Sequence, residues 1–381
     1  MIINIYGSTG IIGKTTLSII KKNFPNYKIN LLCAKNNYKL LAKQSSEYNV
    51  KYLYLDNKKL ISKLKSIIPK DVKILEKAAL NDYLKRSKSD LSILSVAGIE
   101  SLNYLEQILL NTDKIGIVSK EAVVSAGHIL HKIAKKHNTK IIPLDSEHFS
   151  IYQNFKKINL QNNNLKKIYL TASGGPFLNR KFNNLKKVSF REATKHPKWK
   201  MGYKNSIDSA TLANKCLELI EAHYLFNIPI NKLDILVHPE SLVHSIIEGD
   251  NYVSKMIYFH NDMKIPIMNF FNSNNTFKLP ENKNFNLLKH FNLNFFQVNK
   301  DNYPLYFYFK SIDKTKPCNL IRFNIGNEYA VDLFKQKKIN YPEIMQIIKE
   351  ITSINLNSDV NTIDKIIQYH EKLKEYIKDN Y

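Results

Sequence analysis

Through the first third of the chain, short apolar runs alternate with amphipathic stretches. Ile2–Tyr6 reads as a strand and Lys14–Lys22 as a helix, and further strands are expected at Ile29–Cys33, Lys51–Leu55, Leu91–Val96, Lys114–Val118 and Lys140–Leu144. In the intervals Ile99, Leu102, Leu105 and Ile108 recur at helical spacing, as do Val123, Ile129, Ile133 and Ala134. Strands and helices in alternation predict a doubly wound, mainly parallel sheet.

Beyond this the pattern changes. Lys166–Thr171 is a strand that runs into the small-residue turn Ala172–Pro176, a helix is expected from about Ser209 to Phe226, and Leu233–Val237 and Tyr252–Phe259 read as strands. Asn272–Asn286 has the polar, asparagine-rich character of a linker. From Tyr303 the apolar positions keep helical spacing to the end. The expected organisation is α/β, with an N-terminal Rossmann-like sheet over 1–144 and a central α+β domain over 145–271. A linker over 272–298 and a C-terminal helical domain over 299–381 follow.

Composition narrows the partners. With 381 residues, 44% of them hydrophobic, the chain can bury more than one core, and no apolar run reaches the length of a membrane span. It enters a strand at Ile2, so no signal peptide is expected. Cys33, Cys216 and Cys318 stand too far apart for a metal motif or a disulfide framework, which fits a reducing compartment such as the bacterial cytoplasm, or an organelle after processing. The net charge is +24, but arginine occurs only at 86, 180, 191 and 322. Base-reading surfaces favour arginine, so scattered lysines argue against a nucleic-acid partner. A positive field still attracts a small phosphorylated substrate.

Gly7-Ser8-Thr9-Gly10-Ile11-Ile12-Gly13 links the first strand to the first helix. Glycines there let the backbone turn tightly, and the helix N-terminus offers free N–H groups to a phosphate, as in a dinucleotide loop. Gly13-Lys14-Thr15 also mimics the end of a Walker A loop, but Ser8 stands where that motif needs glycine. After the second strand come Lys35, Asn36 and Asn37, with no acid to bind ribose hydroxyls. A lysine and two amides suit the 2′-phosphate of NADP; they are also ordinary loop residues in a lysine-rich chain.

Asp145 and Glu147, two apart at the end of an apolar run, would face the same side of an extended strand and could meet one hard divalent cation. An acidic turn is the plainer reading. Asn214, Lys215 and Glu218 share a helix face, and Ser209 sits near the expected N-terminus, where phosphate is favoured. A solvated face with an internal ion pair is the alternative. His196 opens a segment through Trp199, Met201 and Gly202 with the character of a lid. Ser173 with Gly174-Gly175 could surround an anion or simply turn the chain before Pro176.

Together these blocks resemble the 1-deoxy-D-xylulose 5-phosphate reductoisomerase family. The matching stretches are GSTGIIG at 7–13, SKEAVV at 119–124, PLDSEHFSIYQ at 143–153 and LTASGGPF at 170–177. They continue as HPKWKMGYKNSIDSATLANKCLELIEAHYLF at 196–226, LVHPESLVHS at 236–245 and NIGNEYAV at 324–331. The resemblance implies that Thr9, Gly10, Ile11 and Ile12 hold the pyrophosphate of NADPH and that Lys35, Asn36 and Asn37 lie near its 2′-phosphate. Ser119, Glu121 and Gly202 would border the cofactor. Asp145, Glu147 and Glu218 would bind Mg²⁺ or Mn²⁺. Ser146, Asn214 and Lys215 would contact substrate, and Ser173, His196 and Ser209 would join Asn214 and Lys215 around its phosphate. Lys120 would sit by the substrate oxygens, with Glu147 and His196 as further catalytic candidates.

The implied reaction is a retro-aldol and aldol rearrangement of 1-deoxy-D-xylulose 5-phosphate, then hydride transfer to give 2-C-methyl-D-erythritol 4-phosphate, in a homodimer. The chain departs from the family pattern at Ser119 (usually Asn), Ile11 (usually Ser), Lys35-Asn36 (usually Gly-Lys or Gly-Arg), Tyr203 (commonly Arg) and Glu240 (commonly Gln). None of these removes a metal ligand or a phosphate contact.

Overall fold

The computed structural model, which describes residues 1–156, 164–196, 202–272 and 292–380, gathers the alternating strands and helices into two compact units. The first holds Met1–Ala122, Ile129–Asp145 and the segment that begins at Asp262. Its strands are β1 (Ile2–Tyr6), β2 (Lys28–Ala34), β3 (Tyr52–Leu55), β4 (Lys73–Leu75), β5 (Ser89–Leu94), β6 (Thr112–Ile117) and β7 (Lys140–Pro143). They form one parallel sheet in the order β4-β3-β2-β1-β5-β6-β7. Helices α1 (Ile11–Asn23), α2 (Tyr38–Glu47), α3 (Ile61–Lys65), α4 (Lys77–Arg86), α5 (Leu102–Asn111) and α6 (Lys120–Lys136) connect them, residues 123–128 of α6 belonging to the second unit. Leu31, Leu32, Leu91 and Ile93 are buried, as continuous apolar strands must be when helices cover both faces. The chain winds outward from β1 on one side and from β5 on the other, so the loop after β1 stands at the switch point, where such sheets bind ligands.

The second unit contains Val123–His128, Ser146–Asn261 and the C-terminal part of the chain. Helices α7 (Ser146–Lys156), α8 (Phe190–Ala193), α9 (Tyr203–Thr211) and α10 (Ala213–Phe226) accompany strands β8 (Leu165–Ala172), β9 (Leu233–Val237), β10 (Val243–Gly249) and β11 (Ser254–Tyr258). With β12 (Phe296–Gln297) these make a mixed sheet, β11-β10-β8-β9-β12, in which only β8 and β9 run parallel. The helical expectation beyond Tyr303 appears as α12 (Pro304–Ser311), α13 (Pro317–Lys335), α14 (Glu343–Ser353) and α15 (Ile363–Asn380). Close packing of α10 on α6 requires Gly127, where a Cβ would lie 2.2 Å from the Tyr224 ring.

Three local expectations are corrected. The strand before Asp145 stops at Pro143, and Glu147 stands in the first turn of α7, so the two acids do not alternate along a strand. The helix expected from Ser209 to Phe226 is two helices, because Leu212 adopts a left-handed conformation (φ 62°) between them. Ser209 therefore lies at the C-terminal end of α9, away from a helix N-terminus. Helix α11 (Lys264–Phe271), inside the range expected for the central domain, lies in the first unit: Ile267, Met268, Phe270 and Phe271 enter its core, and Phe24 and Tyr27 pack on the Phe271 ring. Periodicity shows that such a helix is apolar, and cannot show which core accepts it. Most of the linker expected over 272–298 lies outside the described residues.

Candidate active site

The glycine loop is held by backbone constraints. Gly7 has φ 89°, and a Cβ there would lie 2.6 Å from the carbonyl oxygen of Ser95; at Gly13 it would lie 2.4 Å from that of Gly7. The N–H groups of Gly7 and Ser8 both donate to the carbonyl of Cys33, which ties the loop to the end of β2. Helix α1 begins at Ile11 with no side-chain cap, leaving first-turn N–H groups to receive an anion. Lys14 is exposed and the Thr15 hydroxyl donates to the carbonyl of Ile11 at 2.9 Å, so the Walker-type reading loses its metal-binding hydroxyl.

Just beyond β2, Lys35 Nζ donates to Glu100 Oε1 at 2.7 Å. Asn36 Oδ1 accepts from Asn57 Nδ2 at 3.0 Å, and Asn37 caps α2 by accepting from the Leu40 N–H. Ser119, the N-cap of α6, turns its hydroxyl to the carbonyls of Val96 and Leu94, while Glu121 in the first helical turn is buried.

One carboxylate oxygen from each of Asp145, Glu147 and Glu218 lies within 4.8 Å of the others. Pro143 ends β7, Leu144 is buried, and the chain turns at once into α7; that turn presents Asp145 and Glu147, and α10 presents Glu218. Three hard oxygen donors in this arrangement fit a divalent cation. Two ammonium groups offset part of the charge. Lys120 Nζ donates to Asp145 Oδ2 at 2.8 Å. Lys215 donates to Glu218 Oε2 at 2.7 Å and to Glu147 Oε1, and the Asn214 amide donates to Glu218 Oε1. Ser146 Oγ donates to Glu147 Oε2 at 2.5 Å. Lys215 and Glu218 are buried, which is tolerable only because each is paired.

Two further histidines belong to this neighbourhood. His148 Nε2 stands 2.9 Å from the main-chain carbonyl of Glu218, and His244 Nδ1 stands 3.9 Å from Glu147 Oε1 with its ring stacked on Phe259. Neither is singled out as a site residue by the sequence. The only signal was their place inside the DSEH and LVHPESLVHS blocks.

A second cluster gathers Ser173 from the end of β8, His196 from beyond α8 and Ser209 from α9. His196 Nε2 lies 3.0 Å from Ser173 Oγ and 3.1 Å from Ser209 Oγ, and the Gly175 N–H donates to Ser173 Oγ. Gly175 has φ 63° and approaches α9 so closely that a Cβ would meet Ala210 Cα at 2.9 Å. Burial, and then the Lys215 charge, push the His196 pKa down to about 4, so the ring is neutral at neutral pH. Gly202 precedes α9, and among the described residues nothing lies within 4 Å of a Cβ placed there; residues 197–201 of the expected lid lie outside the described residues.

The chain matches the family model for 1-deoxy-D-xylulose 5-phosphate reductoisomerase over residues 3–127, the C-terminal domain model of that enzyme over 141–226, and the DXP reductoisomerase C-terminal domain over 260–376. It is 36% identical over 376 residues to the 1-deoxy-D-xylulose 5-phosphate reductoisomerase of Wolbachia sp. subsp. Drosophila simulans (strain wRi), covering 96% of this chain and 94% of that one. Among solved structures it is similar to the reductoisomerase from Zymomonas mobilis in complex with NADPH (28% identity, TM-score 0.88, 98% and 97% of the two chains). It is likewise similar to a DOX-P reductoisomerase in complex with NADPH, fosmidomycin and magnesium (27% identity, TM-score 0.90, 100% and 98%).

Proposed function

The chain belongs to the 1-deoxy-D-xylulose 5-phosphate reductoisomerase family, and from that premise we infer how its own residues serve the reaction. It is an NADP-dependent oxidoreductase that rearranges and reduces 1-deoxy-D-xylulose 5-phosphate to 2-C-methyl-D-erythritol 4-phosphate, with NADPH and a divalent cation as cofactors. The observation that carries the assignment of roles is the carboxylate cluster of Asp145, Glu147 and Glu218.

These three side chains hold the cation, Mg²⁺ or Mn²⁺, and the glycine loop at Thr9–Ile12 receives the NADPH pyrophosphate. When bound, the cation supplies a Lewis acid for the ketone and hydroxyl oxygens, and NADPH supplies the hydride. Lys120, ion-paired with Asp145, reaches the substrate oxygens. Lys215, Asn214 and Ser146 turn from their carboxylate partners to the substrate. Glu147, whose Oε2 accepts a hydrogen bond from the Ser146 hydroxyl, is the carboxylate placed to take or return a proton. Around the phosphate, Ser173 and Ser209 rotate their hydroxyls to donate, His196 orients both as a neutral ring, and Lys215 supplies the positive charge. Lys35, Asn36 and Asn37 border the 2′-phosphate; Ser119, Glu121 and Gly202 border the rest of the cofactor. No described helix is long and apolar enough to cross a membrane. A homodimer in the bacterial cytoplasm, without nucleic acid, completes the reading, and light scattering at twice the chain mass would support the dimer.

The test is direct. Purified protein mixed with 1-deoxy-D-xylulose 5-phosphate, NADPH and Mg²⁺ should consume reduced nicotinamide, stop when a chelator is added, and resume with Mg²⁺ or Mn²⁺. Turnover indifferent to chelator would overturn the metal role of the carboxylates.

A further inference from the structure

Strands β2 and β5 flank β1, so their carboxyl ends stand two strand spacings apart, roughly 10 Å. Lys35 follows β2 and Glu100 lies in the turn after β5, yet their side chains meet at 2.7 Å. The pair therefore spans the carboxyl end of β1, at the switch point where a dinucleotide is bound. A dinucleotide site that prefers NAD carries an acid at the end of its second strand, and this chain has none there. The structure supplies the missing acid from the opposite strand. Asp56, after β3, adds a second negative charge that Lys35 feels.

We propose that Glu100 sets the discrimination between NADPH and NADH: it holds Lys35 in an ion pair for which the cofactor's 2′-phosphate must compete, and its carboxylate can accept a hydrogen bond from an unphosphorylated ribose. This rests on the placement of the 2′-phosphate at Lys35–Asn37. The two side chains are 59% and 39% exposed, so the pair opens at small cost and acts on affinity without closing the site. The usual basic residue of the family is absent at Asn36, which leaves Lys35 as the nearest positive charge on this loop and makes its partner matter more. Both the pairing and the repulsion of phosphate by carboxylate weaken NADPH more than NADH.

Fluorescence titration of NADPH and NADH, and calorimetry with adenosine 2′,5′-bisphosphate, test this on the protein without substrate. Glu100→Gln should raise the NADPH-to-NADH affinity ratio about three- to tenfold and tighten the bisphosphate, with the gain fading at high salt. Lys35→Ala should weaken NADPH and the bisphosphate. If Lys35→Ala weakens both while Glu100→Gln leaves the ratio unchanged or lowers it, the role of Glu100 is overturned and the cofactor site stands. If Lys35→Ala changes neither ligand, the placement of the 2′-phosphate fails, and the proposal with it.

Discussion

His148 and Glu218 are joined from ring to main chain: His148 Nε2 lies 2.9 Å from the Glu218 carbonyl oxygen, and a carbonyl only accepts, so the imidazole carries its proton on Nε2. The bond ties α7 to α10, the two helices that present Glu147 and Glu218. His148→Leu removes that tie, and partners of this kind around a metal ligand are worth about 10- to 100-fold in affinity. Titration of Mn²⁺ by calorimetry should show weaker binding within that range.

Glu218→Gln preserves volume and removes one negative charge. Lys215 then keeps the Glu147 carboxylate and loses that of Glu218, and the cation loses one of three anionic ligands. Turnover should fall about 100-fold or more, and raised Mg²⁺ should recover part of it. Full activity at low Mg²⁺ would remove Glu218 from the metal site.

His196 is neutral in the folded protein until the pH approaches about 4. The pH profile of substrate binding should therefore lack a His196 step near its ordinary value of 6.5. The second ionisation of a phosphate monoester, near 6, is the step to expect instead. His196→Asn should raise KM by about tenfold, as expected for losing the group that orients two hydroxyl donors, without moving that step.

His370 governs acid stability. It is buried with Nε2 3.1 Å from Ser125 Oγ, and burial, then the Lys374 charge, lower its pKa to about 3. The unfolded chain takes up the proton first, near 6.5, so stability is unaffected by this residue above that pH. It falls as the pH drops from 6.5 toward 3. The loss is on the order of 2–4 kcal/mol across the window. Urea unfolding at pH 7 and pH 5 should show a smaller drop in midpoint for His370→Gln than for the natural protein.

The alternation of apolar strands and helices was legible because a sheet buried on both faces needs continuous apolar runs, and β1, β2 and β9 fall within a residue or so of their expected bounds. The second strand of the central sheet, β10, escaped notice because Val243–Gly249 mixes His244, Ser245 and Glu248 into a run whose burial depends on β8 and β11 beside it. The acidic residues at 145, 147 and 218 are legible as residue types in recognisable blocks, but the turn into α7 that gathers the first two is not, since a strand and a strand-to-helix turn both allow two acids two residues apart.

By itself the sequence determined the parallel sheet with its glycine loop, the side chains proposed for metal and phosphate, and the family to which the chain belongs, because these follow from local spacing and residue chemistry. Tertiary structure alone decided the break at Leu212, the core that receives α11, the pairing of Lys35 with Glu100 and the ties of His148 and His370. Each of these joins residues distant in sequence or selects one of several allowed backbone states. Such choices depend on which surfaces meet when the chain closes, and no local pattern records them.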